Sequence, residues 1–479
     1  MSCSSFGAAL GVQQYGTVTE PREIQRTLDV ALRVGEMLLS NGAGAADVTA
    51  TMSSIAHHLG LRQALVDVTF TTLTMSYQES FDEPPFSLTR HVTHRETDFD
   101  DLTRVDHLVT ALLNDEIDLE EARTQIAQIT STGHRTPRWA VSLSWGVIGG
   151  GIALLIGGDA TVTLIAAIAA IGIEVLQRYL ARLRLPFFYA QVAGGLFATL
   201  LAVGVSAVHV DVDPSLVIIA SIVMLLAGLG FIGAIQDALT GFYITAGARI
   251  LEVMMSTVGV IVGVSGGLSV GGLLGVDIAL DPAVSGLSRY PLMVAGAAVS
   301  AAAFAFAAYA PARILVPIAA IAGAAATIFL LLAERDVGRA WPAAVAAIFI
   351  GIISYTVSYR FNVPPLVIVV ASIVPLLPGL SIYRGLSLLA ADDYSGILAM
   401  ITAIAVAISL AAGVILGEYI AQPLRREARR LEQRLAGPRL VGPLRARALR
   451  VEKVAPMMHI VARTRAAMDR MARSPRSRP

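Results

Sequence analysis

Ten apolar segments, each about as long as a helix that crosses a bilayer, run through the chain from residue 139 onward. The chain is 55% hydrophobic with a mean hydropathy of +0.67, well above what a soluble globular protein carries. These values predict a polytopic α-helical membrane protein. The predicted spans are Trp139–Gly157, Ala160–Leu176, Pro186–Val208, Pro214–Ile235, Phe242–Val264, Tyr290–Ala310, Ile314–Leu332, Trp341–Ser358, Pro365–Leu386 and Gly396–Ile420.

An internal repeat divides the ten segments into two sets of five. Ala220–Leu229 reads ASIVMLLAGL and Ala371–Leu380 reads ASIVPLLPGL, so eight of ten positions are identical at an offset of 151 residues. Because five is an odd number, the second set is predicted to cross the membrane in the inverted direction. Transmembrane repeat 1 is predicted at 139–264 and transmembrane repeat 2 at 290–420, joined by a Gly-rich loop at 265–289.

Each copy of the repeated segment contains residues that interrupt a helix, namely Gly228, Gly230 and Gly233 in the first copy and Pro375, Pro378 and Gly379 in the second. Interrupted apolar segments at matching places in two halves are typical of a transporter's binding site. A plainer alternative stays open, in which the glycines only permit tight helix packing and the prolines only kink the helix.

A polar region precedes the membrane segments. Residues 1–20 are predicted to be disordered, and 21–135 to form a small cytoplasmic α+β domain. Its predicted helices are Pro21–Ser40, Ala45–Leu59, Asp100–Leu113 and Leu119–Ser131, and its predicted strands are Ala64–Tyr77 and Phe86–Thr93. Asp118 is expected to cap the last helix.

Arginines in the short loops predict that both termini are cytoplasmic, in a cell (inner or plasma) membrane protein. Residues 421–479 form a basic cytoplasmic tail, whose predicted partner is anionic lipid. Nucleic acid is not predicted, because no nucleic-acid-binding motif accompanies the charge. Homo-oligomerisation is left open.

Ionisable residues inside membrane segments are costly and therefore candidate functional residues. Asp237 follows the first interrupted segment and has no obvious local partner. Thr245, Arg249, Glu252 and Ser256 are spaced to share one helix face. Arg249 and Glu252 could instead form a purely structural ion pair, and Glu418 is expected at the membrane boundary.

A zwitterionic solute would suit these residues, since broken-helix N-termini attract a carboxylate and a carboxylate such as Asp237 would hold an ammonium or exchange a proton. Ser221, Ser372, Ser381 and Tyr383 could bond a substrate hydroxyl.

No nucleotide-binding or hydrolase motif is present, which predicts an ion gradient as the energy source and no enzymatic activity. Two rivals are a membrane-anchored enzyme with its active site in the soluble domain, and a channel or scaffold. The single cysteine, Cys3, excludes an intramolecular disulfide. His91 and His94 are three positions apart in or after a predicted strand, where side chains at that spacing point to opposite faces. This spacing does not predict a metal site. No cofactor and no metal are predicted.

The chain from about Thr27 to Ile420 resembles the threonine/serine exporter family in its fused, single-chain form. The resemblance rests on Leu39–Val48 of the soluble domain, on Gly233–Asp237 with Gly241, Gly247, Arg249 and Glu252, and on Val374–Gly379 with Tyr383. The family pattern has Pro-Gly where this chain has Ala227-Gly228. We therefore expect the helix to be interrupted less sharply at the first break than is usual in the family.

The resemblance implies export of small neutral amino acids, threonine and serine, driven by the proton motive force. It implies that Asp237 and Glu252 couple protons or bind the ammonium, and that Arg249 positions Glu252 or the substrate carboxylate. The expected substrate site at the broken helices also includes Gly228, Pro378, Gly379, Ser381 and Tyr383.

Overall fold

The computed structural model describes residues 21–93, 97–133, 136–208, 214–222, 225, 228–275, 289–335, 338–390 and 393–435. The predicted disordered segment 1–20, most of the basic tail and residues 276–288 of the predicted loop lie outside these ranges.

The amino-terminal domain packs four helices around a three-stranded antiparallel sheet in the order β1-β2-β3. Its elements are α1 (Pro21–Ser40), α2 (Ala45–His58), β1 (Leu65–Thr69), β2 (Thr72–Tyr77), β3 (Phe86–His91), α3 (Phe99–Leu113) and α4 (Leu119–Ser131). Helix α1 is central because it contacts the other three helices as well as β2 and β3. The Asp118 side chain accepts a hydrogen bond from the Glu121 N–H, so the predicted cap is confirmed.

The prediction of one strand over Ala64–Tyr77 is wrong, since the segment folds into the hairpin of β1 and β2. Thr69 pairs with Thr72, which leaves Phe70 and Thr71 as a two-residue turn. Phe70 takes the left-handed conformation at φ 51°, which usually needs glycine or asparagine. The turn therefore carried no sequence signal.

Eight helices in the described part of the chain are long and apolar enough to cross a membrane, which confirms the polytopic helical fold. Their bounds are α5 (Arg138–Leu155), α6 (Ala160–Arg182), α7 (Phe187–Ala207), α10 (Tyr243–Leu273), α11 (Tyr290–Ala307), α12 (Leu315–Ala333), α13 (Ala340–Phe361) and α16 (Ser395–Leu435). Helix α10 continues nine residues past the predicted end at Val264, into the predicted Gly-rich loop. Gly267 there lets α7 approach closely: an added Cβ would lie 2.6 Å from the Thr199 Cβ.

The fourth and ninth predicted segments are each two shorter helices, as interrupted segments should be. The fourth consists of α8 (Pro214–Ile222) and α9 (Gly228–Leu239), and the ninth of α14 (Pro365–Ile373) and α15 (Gly379–Ala390). A 3-10 turn at Val374–Leu376 and an extended Leu377 separate α14 from α15, which confirms the break at Pro375 and Pro378.

The first break differs from its prediction. It falls between Ile222 and Gly228, so Gly228 begins α9 and both Gly230 and Gly233 lie inside that helix. Isolated glycines are tolerated in membrane helices when a neighbouring group needs close approach.

The first helices of the two halves, α5 and α11, cross in opposite directions. The Ser144 hydroxyl donates to the Ala303 carbonyl, whereas Gly151, further along α5, packs against Gly296, earlier in α11. Corresponding helix pairs also pack in both halves, α5 with α6 as α11 with α12, and α7 with α8 as α13 with α14.

Candidate functional site

A cavity of about 280 Å³ lies where the amino-terminal domain meets the helix bundle. One wall comes from the domain and includes Asn41, Gly42 and Phe99. The other walls come from α7, α9, α10, α14 and α16. The broken helices of both halves therefore contribute to one cavity, and its size suits a small metabolite.

Arg249 of α10 and Asp237 of α9 form a buried ion pair at the cavity. The Nη1 atom of Arg249 lies 2.8 Å from Oδ2 of Asp237. Asp237 is fully buried and Arg249 is 8% exposed. The sequence showed no obvious local partner for Asp237, and the structure supplies one twelve positions away on the next helix. Arg249 lines the cavity, whereas Asp237 lies behind it.

Gly233 makes room for the Arg249 side chain. A Cβ added at Gly233 would stand 3.1 Å from Nη1 of Arg249, tighter than an ordinary contact. Gly233 therefore serves the placement of the guanidinium rather than a break in the helix.

Asp237 also caps a helix of the amino-terminal domain. Gly44 precedes α2 and offers no side-chain cap. The Ala45 N–H donates to Oδ1 of Asp237 over 2.9 Å, so a bundle residue satisfies the start of α2. A carboxylate at a helix N-terminus is favoured by the free N–H groups and by the helix dipole.

A second contact fixes the domain on the bundle. The Thr245 hydroxyl accepts a hydrogen bond from the Phe70 N–H at 3.0 Å and lies 3.3 Å from the Val68 carbonyl, to which it can donate. This bond accounts for the left-handed turn at Phe70, because tertiary contact stabilises a conformation that the local sequence does not favour.

Two further carboxylates, Glu252 of α10 and Glu418 of α16, line the cavity. Three of the four residues predicted to share a face of α10 are buried, namely Thr245, Arg249 and Ser256, while Glu252 is exposed. Glu418 was expected at the membrane boundary; nothing in its local sequence pointed to the cavity.

Asp47 of α2 adds a titratable group beside this cluster. It keeps contact with solvent, yet the surrounding protein and then the charge of Asp237 raise its pKa above the ordinary value. Glu418 lies close enough to Asp47 for the two negative charges to repel. Together Asp237, Glu252, Glu418 and Asp47 place four carboxylates in or beside the cavity.

The two breaks meet directly. A Cβ added at Gly228, where α9 begins, would lie 3.1 Å from the Cβ of Leu377 in the second break. Of the predicted site residues, Arg249 and Glu252 line the cavity, Gly228 lies at this contact, and Pro378 and Gly379 form the second break. Ser381 is half-buried on α15 away from the cavity lining, and the side chain of Tyr383 lies outside the described part.

Membrane-length helices around a cavity that holds charged side chains, beside two broken helices, are typical of a membrane transport protein. A family model described as "Putative threonine/serine exporter" matches residues 29–271, and a second, described as "Threonine/Serine exporter, ThrE", matches residues 293–420. The chain belongs to the threonine/serine exporter family and is a multi-pass protein of the cell membrane.

Two curated relatives carry the family name. The chain is 34% identical over 426 residues to the "Probable threonine/serine exporter" of Mycobacterium tuberculosis, covering 86% of this chain and 80% of that protein. It is 33% identical over 423 residues to the "Threonine/serine exporter" of Corynebacterium glutamicum, covering 86% of each. No solved structure matches the chain.

Proposed function

We propose that this chain exports threonine and serine by secondary active transport driven by the proton motive force. The observation that carries the proposal is the cavity, which holds one guanidinium, Arg249, and two carboxylates, Glu252 and Glu418, around space for a small solute. A zwitterionic amino acid needs both charges in its site. The names of the curated relatives support threonine and serine as the solutes.

Arg249 binds the substrate carboxylate in this mechanism, and Asp237 holds Arg249 in place. Asp237 is already engaged by the Arg249 guanidinium and the Ala45 N–H. Glu252 and Glu418, which line the cavity, bind the ammonium or exchange a proton in this mechanism. Because a proton and the substrate ammonium compete for one carboxylate, the proton and the amino acid cross the membrane in opposite directions.

Alternating access follows from two inverted repeats in this proposal. The opposite directions of α5 and α11 and the matched helix pairs of the two halves support the inversion. The contact of Gly228 with Leu377 forms the barrier between the cavity and the far side of the membrane. Rocking of one repeat against the other would open that barrier and close the cavity.

The amino-terminal domain, with both termini, is cytoplasmic in the proposal and covers the inner mouth of the cavity. Its contacts through Ala45 and Phe70 must loosen for a solute to enter from the cytoplasm. The domain thereby controls access to the site.

The test is efflux of labelled threonine from proteoliposomes that contain the full chain. A pH gradient, acidic outside, is expected to drive threonine out of the vesicles against its concentration gradient. A proton uncoupler is expected to abolish this uphill efflux. Glu418→Gln should keep threonine exchange while losing the response to the gradient, because it removes a titratable group. Labelled leucine serves as the solute control. Downhill threonine flux that ignores the uncoupler would refute proton coupling and indicate a channel.

A further inference from the structure

Two glutamine residues of the first repeat, the half-buried Gln177 and the buried Gln191, each enclose one amide atom and lie outside the cavity lining. Gln177 lies on α6 and Gln191 on α7, and Gln191 is 3% exposed. The Nε2 atom of Gln177 and the Oε1 atom of Gln191 are both enclosed, and neither has a hydrogen-bond partner among the described residues. Buried amides without partners are costly in a membrane protein, because lipid supplies no substitute for water.

The Gln177 amide lies beside the first break, and Gln191 packs against Gly259 of α10. A Cβ added at Gly194 of α7 would stand 3.4 Å from Nε2 of Gln177 and 3.0 Å from the Leu225 side chain. Leu225 belongs to the break between α8 and α9. Gln191 precedes Gly194 by three residues, so the two positions are neighbours on the surface of α7.

Gln191 lies about one helical turn further along α7 than the cavity lining. Phe187 lines the cavity and Gln191 follows it by four residues, about 6 Å further along the helix on the same face. A solute that leaves the cavity toward the far side of the membrane reaches the break region next to these amides.

Packing alone does not account for the pair. The repeats match closely in their helices, yet α12 and α13, the counterparts of α6 and α7, contain no glutamine, and the position 151 residues after Gln177 is Ile328. An apolar residue therefore fills the corresponding place in the second half without the cost of burying an amide.

The chemistry of the two open atoms is complementary. Gln177 offers an N–H donor and Gln191 offers a carbonyl acceptor, while a hydroxyl group is both an acceptor and a donor. We infer that Gln177 and Gln191 form a station beside the first break that recognises the side-chain hydroxyl of the transported amino acid. The inference rests on the proposed function and adds to it the residues that set specificity. A site built to bind a hydroxyl rejects an analogue without one, because its polar atoms would stay unpaired.

The experiment compares threonine with 2-aminobutyrate, which is threonine without its hydroxyl, in proteoliposomes that contain the full chain. The measurement is the ratio of the efflux rates of the two labelled solutes at equal internal concentration. Gln177→Met and Gln191→Met keep chain length and remove the polar atoms. Each is expected to lower the preference for threonine by about tenfold or more. Gln128→Met, at an exposed position of α4, is the matched control and should leave the ratio unchanged.

An unchanged ratio in both variants would overturn the inference, whether the two efflux rates fall together or stay at the wild-type level. The amides would then be a structural or water-binding pair. If the unmutated chain exports neither solute, the proposed function itself is refuted. If the methionine variants do not reach the membrane, Gln191→Asn replaces them in the test. It keeps an amide on a side chain that is shorter by one methylene group. That variant is likewise expected to lower the ratio, and an unchanged ratio there would count against the inference.

Discussion

Asp237 combines an ion pair and a helix cap in one carboxylate, so its charge matters more than its shape. Asp237→Asn leaves Arg249 as an uncompensated buried cation, which typically costs about 3–5 kcal/mol. We expect a lower melting temperature in detergent and loss of threonine efflux. The double variant Asp237→Asn with Arg249→Gln should recover most of the stability but no transport. Wild-type efflux from Asp237→Asn would remove the pair from the mechanism.

Gly233 can be tested separately from the charges. Gly233→Val would push the Arg249 guanidinium from its place, since even a Cβ would come within 3.1 Å of Nη1. We expect a higher KM for threonine, measured from concentration-dependent efflux, because the guanidinium that we propose binds the substrate carboxylate is displaced. Gly266→Ala, on α10 with open space around it, is the matched control and should leave transport unchanged. Equal KM values for Gly233→Val and wild type would show that Arg249 does not bind the carboxylate.

At the scale of elements, the β1–β2 turn and the start of α10 form a docking contact that one hydroxyl holds. Thr245→Val keeps the shape and removes the half-buried hydrogen bond to the Phe70 N–H, and the loss of one such bond costs about 0.5–1.5 kcal/mol. We expect faster hydrogen exchange of the β1–β2 turn. Thr257→Val is the control, since the Thr257 hydroxyl bonds only within α10, to the Val253 carbonyl. Equal exchange in both variants would contradict the role of Thr245.

Docking of α2 should depend on pH through Asp47. Burial and the charge of Asp237 raise the pKa of Asp47 in the docked state, and Glu418 adds a further negative charge nearby. A raised pKa means that the docked state binds the proton more tightly. Docking is therefore expected to gain stability as pH falls and to lose that gain as pH rises through the raised pKa.

Protease cleavage near Gly44 measures this docking, and cleavage should slow as pH falls. In Asp47→Asn the pH dependence should shrink, with docking held near its low-pH strength. A pH profile identical to wild type would assign the dependence to another group.

At the scale of the whole molecule, the two halves meet through α5 and α11 at a close glycine contact. An added Cβ at Gly296 would lie 2.5 Å from the Gly151 carbonyl oxygen, so Gly296→Leu should separate the halves and cost about 1–3 kcal/mol. The expected result is a lower melting temperature together with impaired transport. Gly204→Leu, where no atom lies within 4 Å, is the control. Equal melting temperatures would argue against a tight interface between the halves.

The sequence determined the membrane class, the approximate positions of the apolar segments that the structure describes, and the second break. Hydrophobic length and proline chemistry are local properties that a chain carries wherever it folds. The sequence also picked out Asp237, Arg249 and Glu252, because charges inside apolar segments stand out.

Only the tertiary structure decided how these groups combine. It paired Arg249 with Asp237, set Asp237 against the start of α2 and brought Glu418 and Asn41 to the same cavity. It also folded one predicted strand into a hairpin whose turn contacts the Thr245 hydroxyl. Each of these contacts joins residues from different helices or domains, and the packing of elements, which no local pattern encodes, sets their distances.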